Sequence, residues 1–396
     1  MHTGKYSPES LEFASLALVT DLDPVSNLNW VTAFEEKFAH FVGAKYAIAV
    51  NSGTSGLHSA LLAAGVSQGD EVISPALTVI MDAFSTIYTG ATPVFADVDP
   101  NTWNIDPKAV EKLITTRTKA VIAVSWFGLV SNLDELRKIC DRYNLFLIDD
   151  SAELISLQRK QFAALGRPDA RVFSFESKKH MSTGGEGGMV TTDHEELAVR
   201  IRKSAGLGYK HLSAGRGRTS LAAKIFQHPS YERFDSLGLN YRMTPINAAI
   251  GLGQMMNLDS LLKSRIFAAS TFLNAIEGCT WLITQPLQQD GINHTFYTFG
   301  VKYLGDQLKG VSWESFYDQF VALGGHGFYS NCKNPYLEPF FSTQEAGSQK
   351  WATGLCPIAE DLQLRIMAFK TNYLDPEIVK SQAEKLASLV DRIGRR

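Results

Sequence analysis

Cysteine is scarce: four in 396 residues, at positions 140, 279, 332 and 356. No two stand as a C-x-x-C pair, so neither a metal ribbon nor a disulfide-stapled scaffold is expected. Charge of one sign is missing as well. Lys and Arg number 38 against 41 for Asp and Glu, a net charge of −3. Such a balance gives no field to draw nucleic acid or an anionic membrane. Long apolar runs are absent, and the start, Met1-His2-Thr3-Gly4-Lys5, leads into no hydrophobic segment. Neither a secretory leader nor a membrane span is therefore expected. No repeat or low-complexity tract stands out. What remains is a reduced, cytoplasmic chain, long enough for one large domain and a smaller one.

What is present is an alternation of two periodicities. Short apolar or β-branched runs fall at 46–50, 71–74, 93–97, 120–125 and 145–149, with helical patterns between them at 57–64, 80–88, 107–114 and 132–143. That rhythm predicts an α/β fold, a mostly parallel sheet sandwiched by helices, its strands buried on both faces. A long helical pattern from Pro245 to about Ala275 leads out of it. A strand-like run at 296–303 and helices at 313–323 and 378–393 follow. The division expected is 1–255 for the large domain and 256–396 for a smaller α+β domain.

Ligands of such sheets bind beyond the carboxyl ends of the strands, which directs attention to three segments. Asn51-Ser52-Gly53-Thr54-Ser55-Gly56 opens a helix with free amides and hydroxyls, either an anion site or a plain N-cap. Asp150 ends a buried strand and needs a partner, either a protonated ring nitrogen or an Arg or Lys side chain. Ser177-Lys178-Lys179 lies between the apolar run 171–175 and the turn Thr183-Gly184-Gly185-Glu186-Gly187-Gly188. A lysine held there can become a nucleophile toward an aldehyde.

These segments, taken with others in order, carry a resemblance. Ser174-Phe175-x-x-x-Lys179-x-Met181-Ser182-Thr183-Gly184, Asp97-Val98-Asp99, Asp150-Ser151-Ala152-Glu153 and Asn240-Tyr241-Arg242-Met243 are similar to motifs of the DegT/DnrJ/EryC1/StrS sugar aminotransferases. That family is a branch of the fold type I pyridoxal-phosphate (PLP) transferases. The likeness runs from about Trp30 to the last helix. It implies PLP as cofactor, with Lys179 rather than Lys178 as the catalytic Schiff-base lysine. By the same likeness Asp150 pairs with the ring nitrogen, and Glu153 lies near the ring's 3′-oxygen. The Thr54 and Ser55 amides and the Ser174 hydroxyl hold the phosphate, and Asn240 reaches the phosphate of a neighbouring subunit in a homodimer with shared sites. Two departures stand out. Val79 occupies the place of an aromatic that stacks on the ring, and the glycine turn is one residue longer than the commoner form. Relatives with His in place of the lysine run dehydration chemistry; position 179 is Lys, which implies transamination.

The resemblance implies glutamate as amino donor and a keto or aldehyde sugar as acceptor. The tail segments Gly327-Phe328-Tyr329, 334–339 and 356–360 are similar to transaminases acting on an oxidised octulosonate (8-oxo-Kdo) for lipopolysaccharide. A nucleotide-linked keto-sugar is the alternative. A non-catalytic regulator of the same fold is a third reading, which the presence of both Lys179 and Asp150 opposes. From Arg200 to Tyr231 the sequence holds seven Lys or Arg and no Asp or Glu. We therefore expect an anionic acceptor gripped by a loop in which Arg218 and Lys210 bind it.

Overall fold

The computed structural model describes residues 4–20, 29–215, 221–343 and 349–396. After α1 (Pro8–Thr20) and α2 (Trp30–Val42), strands and helices take turns. They are β1 (Tyr46–Val50), α3 (Gly53–Ala63), β2 (Glu71–Pro75), α4 (Met81–Tyr88), β3 (Thr92–Ala96), α5 (Pro107–Leu113), β4 (Thr118–Val124), α6 (Leu133–Tyr143), β5 (Phe146–Asp150), α7 (Arg159–Ala164), β6 (Ala170–Ser174), β7 (Gly188–Thr192) and α8 (Glu195–Ala205). Helix starts follow their chemistry. Asn29, Ser52, Asp106 and Asn132 each accept an amide of the first turn, which satisfies donors the helix cannot. The Ser52 cap begins α3 at Gly53, four residues before the apolar pattern.

The seven strands form one sheet in the order β1-β7-β6-β5-β4-β2-β3. All neighbours are parallel except β7, which runs against both β1 and β6. Between β6 and β7 the chain makes a turn instead of a helical crossover, and a short return can join antiparallel strands only. Alternate strand residues enter two separate cores. Ala47, Val121, Leu147, Phe173 and Met189 pack on one face with Phe34 and Phe38 of α2. Ile48, Ile122, Ile148, Val172 and Val190 pack on the other with Leu57 and Leu61 of α3. This is the two-residue period of a strand buried on both sides.

Beyond α9 (Ala223–Phe226), the 31-residue α10 (Pro245–Ala275) carries the chain onward. Then come β8 (Leu282–Thr284), β9 (Gln288–Gln289), β10 (Ile292–Asn293), β11 (Thr298–Tyr303), α11 (Gly305–Leu308), α12 (Trp313–Ala322), β12 (Tyr329–Ser330), α13 (Pro357–Arg365), β13 (Ile366–Lys370) and α14 (Pro376–Ile393). A second, antiparallel sheet, β12-β13-β11-β8, builds a third core with the end of α10: Phe272, Phe299, Phe316, Phe369 and Leu386. β11 starts at residue 298 rather than 296 because Phe296 has φ +50°, outside the extended region. Among the described residues, no helix is long and apolar enough to cross a membrane.

Candidate active site

β1, β5 and β6 run parallel, so their carboxyl ends lie on one edge of the sheet. At the end of β1, Ser52 and Ser55 form a capping box, and the Ser55 hydroxyl donates to Asn51 Oδ1 at 2.7 Å. The Ser55 amide is itself taken by Ser52 Oγ at 3.1 Å, so within the cap Ser55 is already engaged. Thr54, in the same first turn, retains an amide without an intrahelical acceptor. Ser174, at the end of β6, closes on this turn: a Cβ added to Gly53 would meet Ser174 Cβ at 3.1 Å. Gly188, at the start of β7, lies against the same backbone, where an added Cβ would meet Ser52 C and O at 2.5 Å. A helix start pressed between two glycine positions and a hydroxyl is a place where backbone amides face an anion.

β5 ends in two acids with different fates. Asp149 is the ion-paired one, its Oδ2 2.9 Å from Arg171 Nε. Among the described residues Asp150 has no such guanidinium. Its Oδ1 accepts the Ala152 amide at 2.9 Å, and it is almost fully buried. Burial and the neighbouring Asp82 push its carboxyl well above the ordinary range.

Of the two lysines beyond β6, Lys178 is exposed and Lys179 turns inward. Lys179 Nζ lies 3.3 Å from Glu153 Oε1 and 4.3 Å from the centre of the Tyr297 ring. Burial works to lower its ammonium, but Glu153, Tyr297 and Asp150 outweigh it and hold the group above the usual lysine value. Glu153 is itself fixed, its Oε2 accepting the Phe127 amide at 3.0 Å. The lysine loop is anchored from below. Its carbonyl at Lys179 accepts Lys5 Nζ at 2.8 Å and Arg265 Nη2 at 3.1 Å. Arg265 also takes the Lys178 and Tyr297 carbonyls and Thr371 Oγ1.

Of the expected site residues, Lys179, Asp150 and Glu153 are brought together, and Thr54, Ser55 and Ser174 form a second group at the start of α3. Val79, half-buried on the turn after β2, packs on the same core as α3. Asn240 is exposed and accepts Arg242 Nε at 3.0 Å. The reading of the 200–231 segment as cations without acids needs correction. Arg202 is buried against Glu35 of α2, Lys203 pairs with Asp235, and Lys210 Nζ lies 3.2 Å from Glu232. The acids come from elsewhere in the chain, which spacing along one segment does not reveal. Arg218 lies outside the described residues.

Sequence reasoning missed Asp82, Tyr297, Lys5 and Arg265. Only Arg265 left a signal: it falls on the buried stripe Leu258, Leu261, Leu262, Arg265, Ala268, Phe272 of α10. A charge on an apolar face at helical spacing has to be paired or functional.

Comparison with known proteins agrees with this geometry. Residues 11–322 match the DegT/DnrJ/EryC1/StrS aminotransferase family. The chain is 38% identical over 283 residues to GDP-perosamine synthase of Caulobacter vibrioides, covering 71% of this chain and 70% of that one. It is 39% identical over 282 residues to the spore coat polysaccharide biosynthesis protein SpsC of Bacillus subtilis, with coverage of 71% and 70%. Among solved structures it is similar to an aminotransferase from Psychrobacter cryohalolentis, with a TM-score of 0.84 and 27% identity over 98% of both chains. DesV of S. venezuelae, solved with a ketimine intermediate, gives a TM-score of 0.78 at 25% identity over 98% of this chain and 96% of that one.

Proposed function

The chain belongs to the DegT/DnrJ/EryC1/StrS aminotransferase family, a PLP-dependent sugar aminotransferase family, and from that premise we propose that it moves an amino group from glutamate to an anionic oxidised sugar. The observation that carries the reading is the inward Lys179 amine, 3.3 Å from Glu153 and beside the buried Asp150, which no arginine among the described residues neutralises. Asp150 and the α3 helix start fit the two charged ends of PLP, a basic ring nitrogen and a phosphate.

In this reading Asp150 pairs with the ring nitrogen, Glu153 stands near the 3′-oxygen and Val79 lies against the ring. Thr54 and Ser174 hold the phosphate, Ser55 turning from its cap partners to join them when the anion binds, with Asn240, exposed in this protomer, reaching the phosphate of a second subunit in a homodimer. Bound there, the cofactor supplies an electron sink for the substrate carbon. The chain supplies the rest. Lys179 Nζ is the point of covalent attachment and the atom that carries a proton to and from the substrate carbon. Glu153 Oε1 accepts the proton that Nζ must shed before it attacks. Arg265 and Lys5 hold the Lys179 carbonyl, so the amine swings on a fixed base.

For the acceptor we favour a sugar acid of the oxidised octulosonate type. Supporting it is the tail beyond residue 322, where the family match ends. Asn334 Nδ2 donates to the Ala76 carbonyl at 2.9 Å, three residues from Val79, and Cys332 lies within electrostatic reach of Lys179 and Glu153. The tail whose segments resemble that branch thus borders the site. A nucleotide-linked keto-sugar is the second reading, favoured by the relatives named GDP-perosamine synthase. The test is amination of each candidate by the PLP-loaded protein with glutamate, read by product mass. Turnover of the octulosonate aldehyde supports the first reading, turnover of the nucleotide sugar alone moves the chain to the second, and turnover of neither overturns both.

A further inference from the structure

Asp82, in the first turn of α4, is fully buried. Its Oδ2 accepts the Thr78 hydroxyl at 2.6 Å, while Oδ1 is buried without a hydrogen-bond partner. Across from it stands Asp150, close enough for the two carboxyls to hydrogen-bond. Two ionised carboxylates cannot occupy such a place together, because repulsion and burial act in the same direction. The charged groups facing the pair are Glu153, on the turn after β5, and Lys179, on the loop after β6. Lys179 is already matched to Glu153 at 3.3 Å, and Arg171, on the neighbouring strand β6, is matched to Asp149. Among the described residues, the Asp82–Asp150 pair is left without a cation of its own.

We propose that Asp82 and Asp150 share one proton, and that Asp82 is thereby a positioning residue that fixes the Asp150 carboxylate for the ring nitrogen of the cofactor. Sharing gives the otherwise unpartnered Oδ1 its hydrogen bond. With a cationic ring bound, Asp150 would carry the negative charge and the shared proton would pass to Asp82, which donates it to Asp150. Thr78 holds the other oxygen of Asp82, so the donor points one way. Burial raises both acids, and their mutual hydrogen bond raises Asp150 while lowering Asp82, so in the ligand-free pair the shared proton sits on Asp150. The cofactor half of the proposal rests on the assignment of Asp150 made above; the proton half does not.

The test has two arms. In the first, ligand-free full-length protein labelled with 13C-aspartate is examined by infrared difference spectroscopy near pH 7. A protonated aspartic-acid C=O band is expected in the wild type and absent from both Asp82→Asn and Asp150→Asn, since either amide can donate to the remaining carboxylate. No band in the wild type, or a band unchanged in both variants, overturns proton sharing. In the second arm, PLP affinity is read by quenching of intrinsic fluorescence, with thermal melting as the folding control. Asp82→Asn should bind near wild type, because its amide replaces the donor. Asp82→Ala should bind about tenfold or more weakly, the loss of one hydrogen bond to a charged group. Equal affinity of a folded Asp82→Ala overturns the positioning role. If the wild type itself fails to bind PLP, the functional reading falls instead, while the infrared arm still decides the pair.

Discussion

Replacing Glu35 by Ala should destabilise the protein severely although Glu35 lies outside the catalytic cluster. Arg202 Nη1 and Nη2 make a fork on Glu35 Oε1 and Oε2 at 3.0 and 2.8 Å, with both side chains under a tenth exposed. The guanidinium is completed by the carbonyls of Ala214 at 2.7 Å and Ala47 at 2.9 Å, and Glu35 Oε1 also accepts the Ala49 amide at 2.8 Å. Removing the acid strands a buried cation, at a cost of about 3–5 kcal/mol. That is a large part of the roughly 5–15 kcal/mol that holds a typical protein folded. Arg202→Met should cost a comparable amount by stranding the carboxylate. The double variant Glu35→Leu/Arg202→Met removes both charges, and its loss should be smaller than either single loss. The assay is urea unfolding of the ligand-free protein followed by far-UV circular dichroism. Single losses under about 1 kcal/mol, or losses that simply add, would refute the buried-pair argument and return Arg202 to the pool of cations free to meet substrate.

Three further outcomes are expected. Gly188→Ala should weaken PLP binding at least tenfold, since its Cβ would lie 2.5 Å from Ser52 backbone atoms; unchanged affinity by fluorescence titration would remove the start of α3 from the phosphate site. Mixing an inactive Lys179→Ala subunit with an inactive Asn240 variant should restore some activity through heterodimers carrying one native site, and a monomer by light scattering would contradict it. His294 is buried with Nε2 on Gln285 Oε1 at 3.1 Å, and burial depresses it to about 3. Its folded value lies below its unfolded one, so the stability it contributes is present above about pH 6.5 and is lost as pH falls toward 3. The fall in melting temperature from pH 7 to 4.5 should therefore be smaller in His294→Gln than in the wild type.

The sheet was legible because its strands announce themselves twice, as apolar runs and as the intervals between helical patterns. The turn from Phe175 to Gly188 was legible because its glycines are needed: Gly184 has φ +89°, and Gly188 has backbone where a side chain would go. Which of Lys178 and Lys179 faces inward follows from a fold in which carbonyls at 178 and 179 are pulled down by Arg265, 86 residues away in the case of Lys179. Long-range pairings left no local trace. Glu35 with Arg202 and Asp82 with Asp150 join residues on separate elements, and the 200–231 segment looked rich in free cations only because its partners lie outside it. By sequence Asp82 is only a first-turn acid of a helical pattern; its complete burial facing Asp150 gives it a different meaning.

The most direct test is which atom carries the cofactor. PLP-loaded protein reduced with borohydride and digested should yield one phosphopyridoxyl peptide, with the label on Lys179 and none on Lys178. Label on Lys178, or stoichiometric label remaining in a folded Lys179→Ala variant, would contradict the account at its centre.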